Sequence, residues 1–237
     1  MNGSIQKNLR ERLRCKRSSR FFITFLSLFC LIPTGFTQSP TPGPLDDLHP
    51  FLEMVRDDLN IPGIAVVVVG PETNMQIYTS GYCETDGSVP IDAHTRFHLA
   101  SLTKTFNATL AAALVDEGLL SWDTRVKDVI PEFELSDPMA SEHATLRDLL
   151  CHRVGIGRNS LPSFNRWESP EWWLPRLVHL PFESSFRDNT QYSGVMVTVS
   201  GIMLARTAKS DWESLLNNRL LEPLNMQGST LGLPRNA

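Results

Sequence analysis

Apolar residues recur every three or four positions in residues 46–60, at Leu48, Phe51, Leu52, Val55 and Leu59. This spacing places them on one face of a helix. Pro62 and Gly63 follow directly, and both are residues that commonly end a helix. We therefore expect an amphipathic helix over residues 46–60.

Two apolar runs after this helix predict strands. Residues 64–69 read IAVVVV, a continuous and mostly β-branched run that is typical of a buried strand. Residues 75–82 form a second run, separated from the first by the turn sequence GPETN at residues 70–74. The pattern predicts a buried strand and its hairpin partner.

Helical patterns dominate the rest of the chain. Residues 102–120 favour a slim central helix of small and apolar side chains, with Gly118 near its C-terminal end. Further helices are predicted over residues 145–152, 194–208 and 211–224. Thr145 and Asp211 are their candidate N-caps. One helix, two strands and then mainly helices indicate an α+β fold, with a sheet that is marginal by itself.

The composition is that of an ordinary globular protein, with 237 residues, 41% hydrophobic and 20% charged. The formal net charge of -4 hides an asymmetry. Residues 1–38 carry seven Lys or Arg residues against one Glu, which leaves +6 there and -10 in the remainder. Because phosphate binding needs a basic face, the acidic remainder argues against a nucleic-acid partner.

Residues 1–37 have the pattern of a targeting segment. A basic stretch runs into FFITFLSLFCLI at residues 21–32 and then into a polar, Pro-containing segment. The apolar run is shorter than the roughly 20 residues that span a bilayer, which favours a signal peptide. No small-x-small cleavage site stands out, so an uncleaved N-terminal anchor stays open. We expect a secreted or extracytoplasmic protein, or one held at a membrane by this segment, with a Pro-rich linker at residues 38–45 and a domain at residues 46–237.

Four cysteines are present, two of them, Cys15 and Cys30, in the targeting segment. Cys83 and Cys151 lie in the domain and could pair in an oxidising compartment, but a separation of 68 positions does not establish a bridge. Two buried free thiols are the alternative. No C-x-x-C or H-E-x-x-H motif occurs, so a zinc site has no sequence support, and we expect no cofactor.

A serine and a lysine stand three positions apart at the start of the slim helix, in FHLASLTKTF. Residues at this spacing share a helix face, so Lys104 can reach the Ser101 hydroxyl. The helix N-terminus favours a developing oxyanion, and a neighbouring base can activate the serine as a nucleophile. The alternative is that Ser101 is only an N-cap and Lys104 a solvated residue, because S-x-x-K also occurs by chance, as in SIQK at residues 4–7.

Longer stretches carry a resemblance to a known family. They read IPGIAVVVV, FHLASLTKTFNATLAAALVDEGLLSWDTRVKDVIPEFEL, ATLRDLLCHRVGIGR and LLEPLNMQGST. From about residue 52 to residue 233 the chain resembles the serine β-lactamase and penicillin-binding-protein-like hydrolases, especially the class C and esterase-like branch. The resemblance implies a β-lactamase/transpeptidase-like fold, with a helical subdomain and an antiparallel sheet. It also places His152 and Arg153 in a loop near the cleft, where we expect a structural role.

The resemblance implies catalytic roles for three residues. Ser101 matches the family's acylated nucleophile, and Lys104 matches the lysine that shares its proton transfers. Tyr192, in QYSGVM, matches the tyrosine of the family's Y-x-N motif. A phenol beside a lysine can act as base toward the serine and as acid toward the leaving group. The alternative for Tyr192 is a buried aromatic with a bonded hydroxyl.

Two departures from the family pattern bear on activity. Gly194 stands where Y-x-N has its asparagine, so the amide that orients the lysine and the substrate carbonyl is absent unless another residue replaces it. No K-T-G or H-T-G motif follows Tyr192, so the strand that supplies one oxyanion N–H is missing with the other C-terminal strands. Losing one oxyanion donor typically costs about 3 kcal/mol. We expect a partial domain: a truncated gene model, a short isoform or a fragment.

Two functions are compatible with the sequence. The first is a serine hydrolase that forms an acyl-enzyme on small-molecule, peptide or ester substrates: a β-lactam, a D-amino-acid peptide or a carboxylic ester. The second is a catalytically silent binding module or a nonfunctional fragment of the same fold, which Gly194 and the absent third motif favour. No G-x-S-x-G motif occurs, which argues against a Ser-His-Asp hydrolase.

Overall fold

A two-stranded sheet is followed by a larger set of helices. The computed structural model describes residues 48–70, 75–84, 87–158 and 170–231, with the side chains of residues 170 and 171 left out. Within these ranges the helices are α1 (Leu48–Leu59), α2 (Thr103–Asp116), α3 (Val126–Val129), α4 (Pro138–His143), α5 (Leu146–Leu150), α6 (Pro170–Trp173), α7 (Gly194–Ala208) and α8 (Trp212–Leu216). The strands are β1 (Gly63–Val68) and β2 (Gln76–Gly81). Single 3₁₀ or π turns occupy Ala100–Leu102, Leu174–His179 and Asn217–Leu221.

Strands β1 and β2 pair antiparallel, as the sequence predicts. The register runs from Gly63 opposite Gly81 to Val68 opposite Gln76. The prediction of a buried strand is wrong, because Val67 is 53% exposed and Val69, just beyond β1, is 75% exposed. A β-branched run reports strand propensity, whereas burial needs elements packed on both faces. Among the described residues no further strand joins this sheet.

Helix α2 is the central helix of the domain, as its small side chains predict. Leu110, Ala111 and Leu114 are fully buried. The helix contacts α7 and α8 as well as the turn at Asn217–Leu221. It is shorter than the predicted 102–120. A Schellman motif ends it, because the N–H of Leu119 bonds to the carbonyl of Leu114 and Gly118 takes a φ of +71°.

The predicted caps are present on the later helices. The Thr145 hydroxyl accepts from the N–H of Asp148, and the Asp148 carboxylate accepts from the N–H of Thr145, which forms a capping box at α5. Asp211 accepts from the N–H of Ser214 at 2.7 Å and caps α8. The helix predicted over 211–224 is regular only to Leu216, since a π turn follows it.

The hydrophobic core lies among the helices. Its largest fully buried side chains are Leu110, Leu114, Ile130, Phe133, Leu146, Leu149, Ile156, Leu174, Leu177, Met196, Met203 and Leu204. Cys83 and Cys151 are both free and both exposed, so neither a bridge nor a pair of buried thiols is correct. In the ranges described here, none of the helices has the length and apolarity to cross a bilayer. The targeting segment and the linker lie outside those ranges and stay predictions.

Candidate active site

Ser101 lies in the 3₁₀ turn Ala100–Leu102, immediately before α2. Ala100 precedes it with a φ of +46°, a conformation that costs an alanine free energy and turns the chain sharply into the helix. Leu102 is the N-cap of α2, and no side chain caps that helix end. The interpretation of Ser101 as only an N-cap is therefore wrong. The Ser101 side chain is exposed and available for other contacts.

Lys104 lies one helical turn beyond Ser101, as the spacing predicts. Its Nζ donates a hydrogen bond to Ser101 Oγ at 3.2 Å. The side chain is partly buried and bonded to Ser101, which favours the interpretation of Lys104 as a partner of Ser101 over that of a solvated surface lysine. The start of α2 thus presents a hydroxyl and an amine that point at each other.

Tyr192 reaches the same hydroxyl from the segment that leads into α7. Its hydroxyl donates to Ser101 Oγ at 2.6 Å. Lys104 Nζ lies 5.0 Å from the centroid of the Tyr192 ring. Since both Ser101 and Tyr192 are hydroxyls, the same short contact can carry the serine proton to a phenolate. The three residues singled out from the sequence therefore meet at one atom.

Two cations act on Tyr192. Lys104 is one, and Arg158 is the other, with its Cζ 4.9 Å from the ring centroid. Burial raises the pKa of Tyr192, but the interactions with Lys104, Ser101 and Arg158 lower it more, so the pKa lies below its ordinary value of 10.0. A lowered pKa increases the fraction of phenolate at neutral pH, and the phenolate is the form that can accept a proton.

His152 packs against the Tyr192 ring, with ring centroids 4.6 Å apart. It belongs to the loop that follows α5, where Gly155 permits a tight turn. Gly155 has a φ of +102°, and a Cβ there would lie 2.4 Å from the carbonyl oxygen of Ser184. The family resemblance implies a structural role for His152, but the sequence indicates neither its contact with Tyr192 nor that of Arg158. Position in a loop near the cleft was the only signal that pointed to them.

A buried polar network joins the two helices that carry the site. Asn107, on α2, is 3% exposed. Its Nδ2 donates to Ser200 Oγ of α7 at 2.7 Å, and its Oδ1 accepts from Trp212 Nε1 of α8 at 2.9 Å. Ser101 lies two residues before α2 and Tyr192 two residues before α7, so this network connects the two helices that follow the Ser101 and Tyr192 hydroxyls.

An ion pair between a buried aspartate and a partly exposed arginine joins α5 to the segment that leads toward Tyr192. The Asp148 side chain is 6% exposed and binds Arg187 at 2.7 Å. Arg187 has a φ of +63° and also donates to the carbonyl of His143. Burial raises the pKa of Asp148, but the hydrogen bonds from Arg187 and Thr145 lower it by more. The pKa of Asp148 is therefore below its ordinary value.

One departure from the family pattern lies at this site. Gly194 is the first residue of α7 and has no side-chain amide. Ser193, its neighbour, caps α7 through its hydroxyl and does not replace the amide. Within the described ranges, no group of three His, Cys, Asp or Glu side chains could hold a metal ion.

Ser101 of the S-x-x-K motif is in short contact with Tyr192, which lies ahead of a later helix. This is the arrangement that the family resemblance predicts. A family model described as Beta-lactamase matches residues 51–237. The chain belongs to the β-lactamase family.

Curated relatives of this chain are longer than it is. It is 27% identical over 184 residues to an unguisins hydrolase of Aspergillus violaceofuscus, which covers 73% of this chain and 32% of the relative. It is 27% identical over 200 residues to penicillin-binding protein 4 of Amycolatopsis lactamdurans, which covers 82% of this chain and 51% of the relative. The chain spans about a third to a half of the length of these relatives.

Solved structures show the same fold. A class C β-lactamase superposes with a TM-score of 0.69 at 23% identity, over 81% of this chain and 52% of that chain. A D-amino acid amidase from Ochrobactrum anthropi SV3 superposes with a TM-score of 0.65 at 21% identity, over 76% of this chain and 50% of that chain. The β-lactamase/transpeptidase-like fold expected from the sequence is confirmed.

Proposed function

We propose that this protein is a serine hydrolase that forms an acyl-enzyme on Ser101. The observation that carries the proposal is the double contact at Ser101 Oγ, from Tyr192 at 2.6 Å and from Lys104 at 3.2 Å. A serine hydroxyl becomes nucleophilic when a neighbouring group accepts its proton, and these two groups are within reach.

The proposed step transfers the Ser101 proton to the Tyr192 phenolate while Oγ attacks the substrate carbonyl carbon. The new C–O bond forms a tetrahedral intermediate, and the C–N or C–O bond of the leaving group breaks as Tyr192 returns the proton to it. Lys104 stabilises the phenolate by its charge. Water then hydrolyses the acyl ester and regenerates Ser101.

Amides and esters are the proposed substrates, namely a β-lactam, a D-amino-acid peptide or a carboxylic ester. Family membership and relatives named as a hydrolase and as a penicillin-binding protein support this range. Because Ser101 is exposed, a small molecule or a peptide end can reach it. Secretion, or attachment to a membrane through residues 1–37, remains part of the proposal on sequence grounds alone.

A catalytically silent module is the second candidate. Gly194 favours it, because the motif asparagine is missing at the first residue of α7.

Burst kinetics separate the two candidates. The protein is mixed with a fluorescent penicillin and, in parallel, with a chromogenic carboxylic ester. The expected result is one covalent label per chain from the penicillin, whose opened ring stays attached, or a burst of one chromophore per chain from the ester, either of them lost in Ser101→Ala. A folded wild-type protein that gives neither the label nor the burst would favour the silent module.

A further inference from the structure

His152 contacts three consecutive residues around the phenol. Its carbonyl oxygen accepts from the N–H of Gln191 at 2.8 Å, and its Nδ1 accepts from the N–H of Ser193 at 3.2 Å. Between these two bonds its ring packs on Tyr192, with the planes tilted by 37°. One residue therefore holds the backbone on both sides of Tyr192.

The backbone of His152 makes this arrangement possible. Its φ of +59° is in the left-handed region, which histidine and asparagine enter more readily than most residues. Its N–H bonds to the carbonyl of Leu149, and the next N–H, of Arg153, bonds to the carbonyl of Asp148. The two bonds that His152 makes on either side of Tyr192 are therefore anchored on the C-terminal turn of α5.

The Nδ1 bond requires a neutral imidazole, because an imidazolium has no acceptor. Burial lowers the pKa of His152, and the Lys104 cation lowers it further. The net pKa is below the ordinary histidine value, so the ring is neutral at pH 7. Lys104 and Tyr192 are the titratable groups that act on it, and Arg158 stands on the ring of Tyr192.

We propose that His152 is a positioning residue, whose Nδ1 holds Ser193 and thereby sets the Tyr192 hydroxyl on Ser101. His152 does not touch the reacting hydroxyl; it acts through the backbone of residues 191–193. The catalytic value of this role rests on the proposed function, but the placement of Tyr192 can be measured without any turnover.

Two substitutions of His152 distinguish the effect of losing the Nδ1 hydrogen bond from the effect of backbone strain. Asparagine and glycine both tolerate a φ of +59°, but only His152→Asn keeps an acceptor near the Nδ1 position. The readout is the pKa of Tyr192, followed by NMR of tyrosine labelled with ¹³C at Cζ. The chain has three tyrosines, so Tyr192→Phe assigns the signal. His179→Gly, at an exposed histidine, is the matched control.

His152→Asn is expected to keep the lowered pKa of Tyr192, and His152→Gly to move it up toward the ordinary value. In the burst assay the glycine variant should acylate roughly 10–100-fold more slowly, because a small misplacement of a catalytic group costs that much. The control should match the wild type in both measurements. If wild type gives no burst while the pKa of Tyr192 still separates the two variants, the proposed function fails and the positioning role stands.

Equal behaviour of the asparagine and glycine variants would overturn the role of the Nδ1 bond, whether both match the wild type or both shift. Should His152→Gly fail to fold, the wild type supplies a second measurement. The amide resonance of Ser193 must then follow the titration of His152, because protonation removes its acceptor. A Ser193 amide that is unaffected as His152 titrates would also overturn the proposal.

Discussion

At the scale of single residues, the site depends on three side chains that contribute different chemistry to one oxygen. In the proposed mechanism Ser101 supplies the nucleophile, Lys104 a cation and Tyr192 a phenol of lowered pKa. Each is ordinary by itself, and S-x-x-K occurs by chance in a chain of this length. The two contacts at Ser101 Oγ, both within 3.2 Å, are what single out this site.

Replacing Lys104 with methionine tests the role of the amine. The substitution keeps most of the side-chain volume but removes the charge that lowers the pKa of Tyr192. Acylation of Ser101 should slow by about 10²–10⁴-fold, the usual contribution of general-base catalysis, because the Tyr192 phenolate loses the charge that stabilises it. Burst amplitude and rate on a chromogenic ester measure the effect.

Lys127→Met is the control for this substitution. Lys127 lies on α3 and pairs with Glu142 at 3.4 Å on the surface. Such pairs contribute little, so the control should acylate at the wild-type rate. A Lys104→Met protein that is folded and acylates as fast as the control contradicts the assigned role.

At the scale of elements, the positions of the helices follow from local sequence, but the way they pack follows from tertiary contacts. Residues 194–208 were predicted as a helix and form α7 with those bounds. Thr145 and Asp211 cap their helices because a side-chain oxygen there satisfies nearby N–H groups, a relation contained in a few adjacent residues. Patterns among adjacent residues were therefore enough to predict these helices and their N-caps.

Tertiary contacts account for what the sequence did not predict. The run at residues 64–69 has the propensity of a buried strand, yet Val67 is exposed, because burial depends on which elements cover the sheet. The contact between His152 and Tyr192 joins residues far apart in the chain and needs a positive φ that no pattern indicates. Ser101, Lys104 and Tyr192 were found because the family resemblance supplied the long-range pairing.

Replacing Asn107 with alanine tests the network that joins α2 to α7. The change leaves Ser200 and Trp212 without their buried partner. The free energy of unfolding should fall by about 1–3 kcal/mol, the cost of an unsatisfied buried polar group. Urea denaturation measures it.

Thr109→Ala is the matched control, since Thr109 lies on the exposed side of the same helix and bonds only to the carbonyl of Thr105 among the described residues. Its effect should stay within about 0.5 kcal/mol. Equal stability of the Asn107 and Thr109 variants would show that the network does not hold the two helices together.

At the scale of the whole molecule, stability is concentrated in the helical core. Strands β1 and β2 contact chiefly each other, and Val67, Met75 and Ile77 remain exposed beside them. A two-stranded hairpin is marginal by itself in water. Helix α2, in contrast, packs against several other helices and has fully buried leucines.

Hydrogen exchange should therefore be faster in the two-stranded sheet than in α2. Amides of β1 and β2 are expected to exchange through local opening, well before the amides around Leu110 and Leu114 in the middle of α2. Mass spectrometry of peptides after timed exchange measures both regions in one sample. Equal protection of the hairpin and of α2 would contradict this division.

The ion pair between the buried Asp148 and the partly exposed Arg187 makes the free energy of unfolding depend on pH in acid. Because the pKa of Asp148 is lower in the folded protein than in the unfolded chain, its contribution is fully present above the unfolded value, near 4. It is lost as the pH falls through the folded pKa. Asp148→Asn should lower the free energy of unfolding at pH 7 by about 1–3 kcal/mol and flatten its decline in acid. Unchanged acid dependence in urea titrations between pH 2 and pH 7 would refute this.

The most direct test of the central claim is the mass of the protein after treatment with a fluorophosphonate. The hydroxyl that Tyr192 and Lys104 contact should gain one phosphonyl group, and digestion should locate it on the peptide that contains Ser101. Ser101→Ala should stay unmodified under the same conditions. A folded wild-type protein that gains no mass, or that carries the group on another residue, would contradict the assignment of Ser101 as the nucleophile.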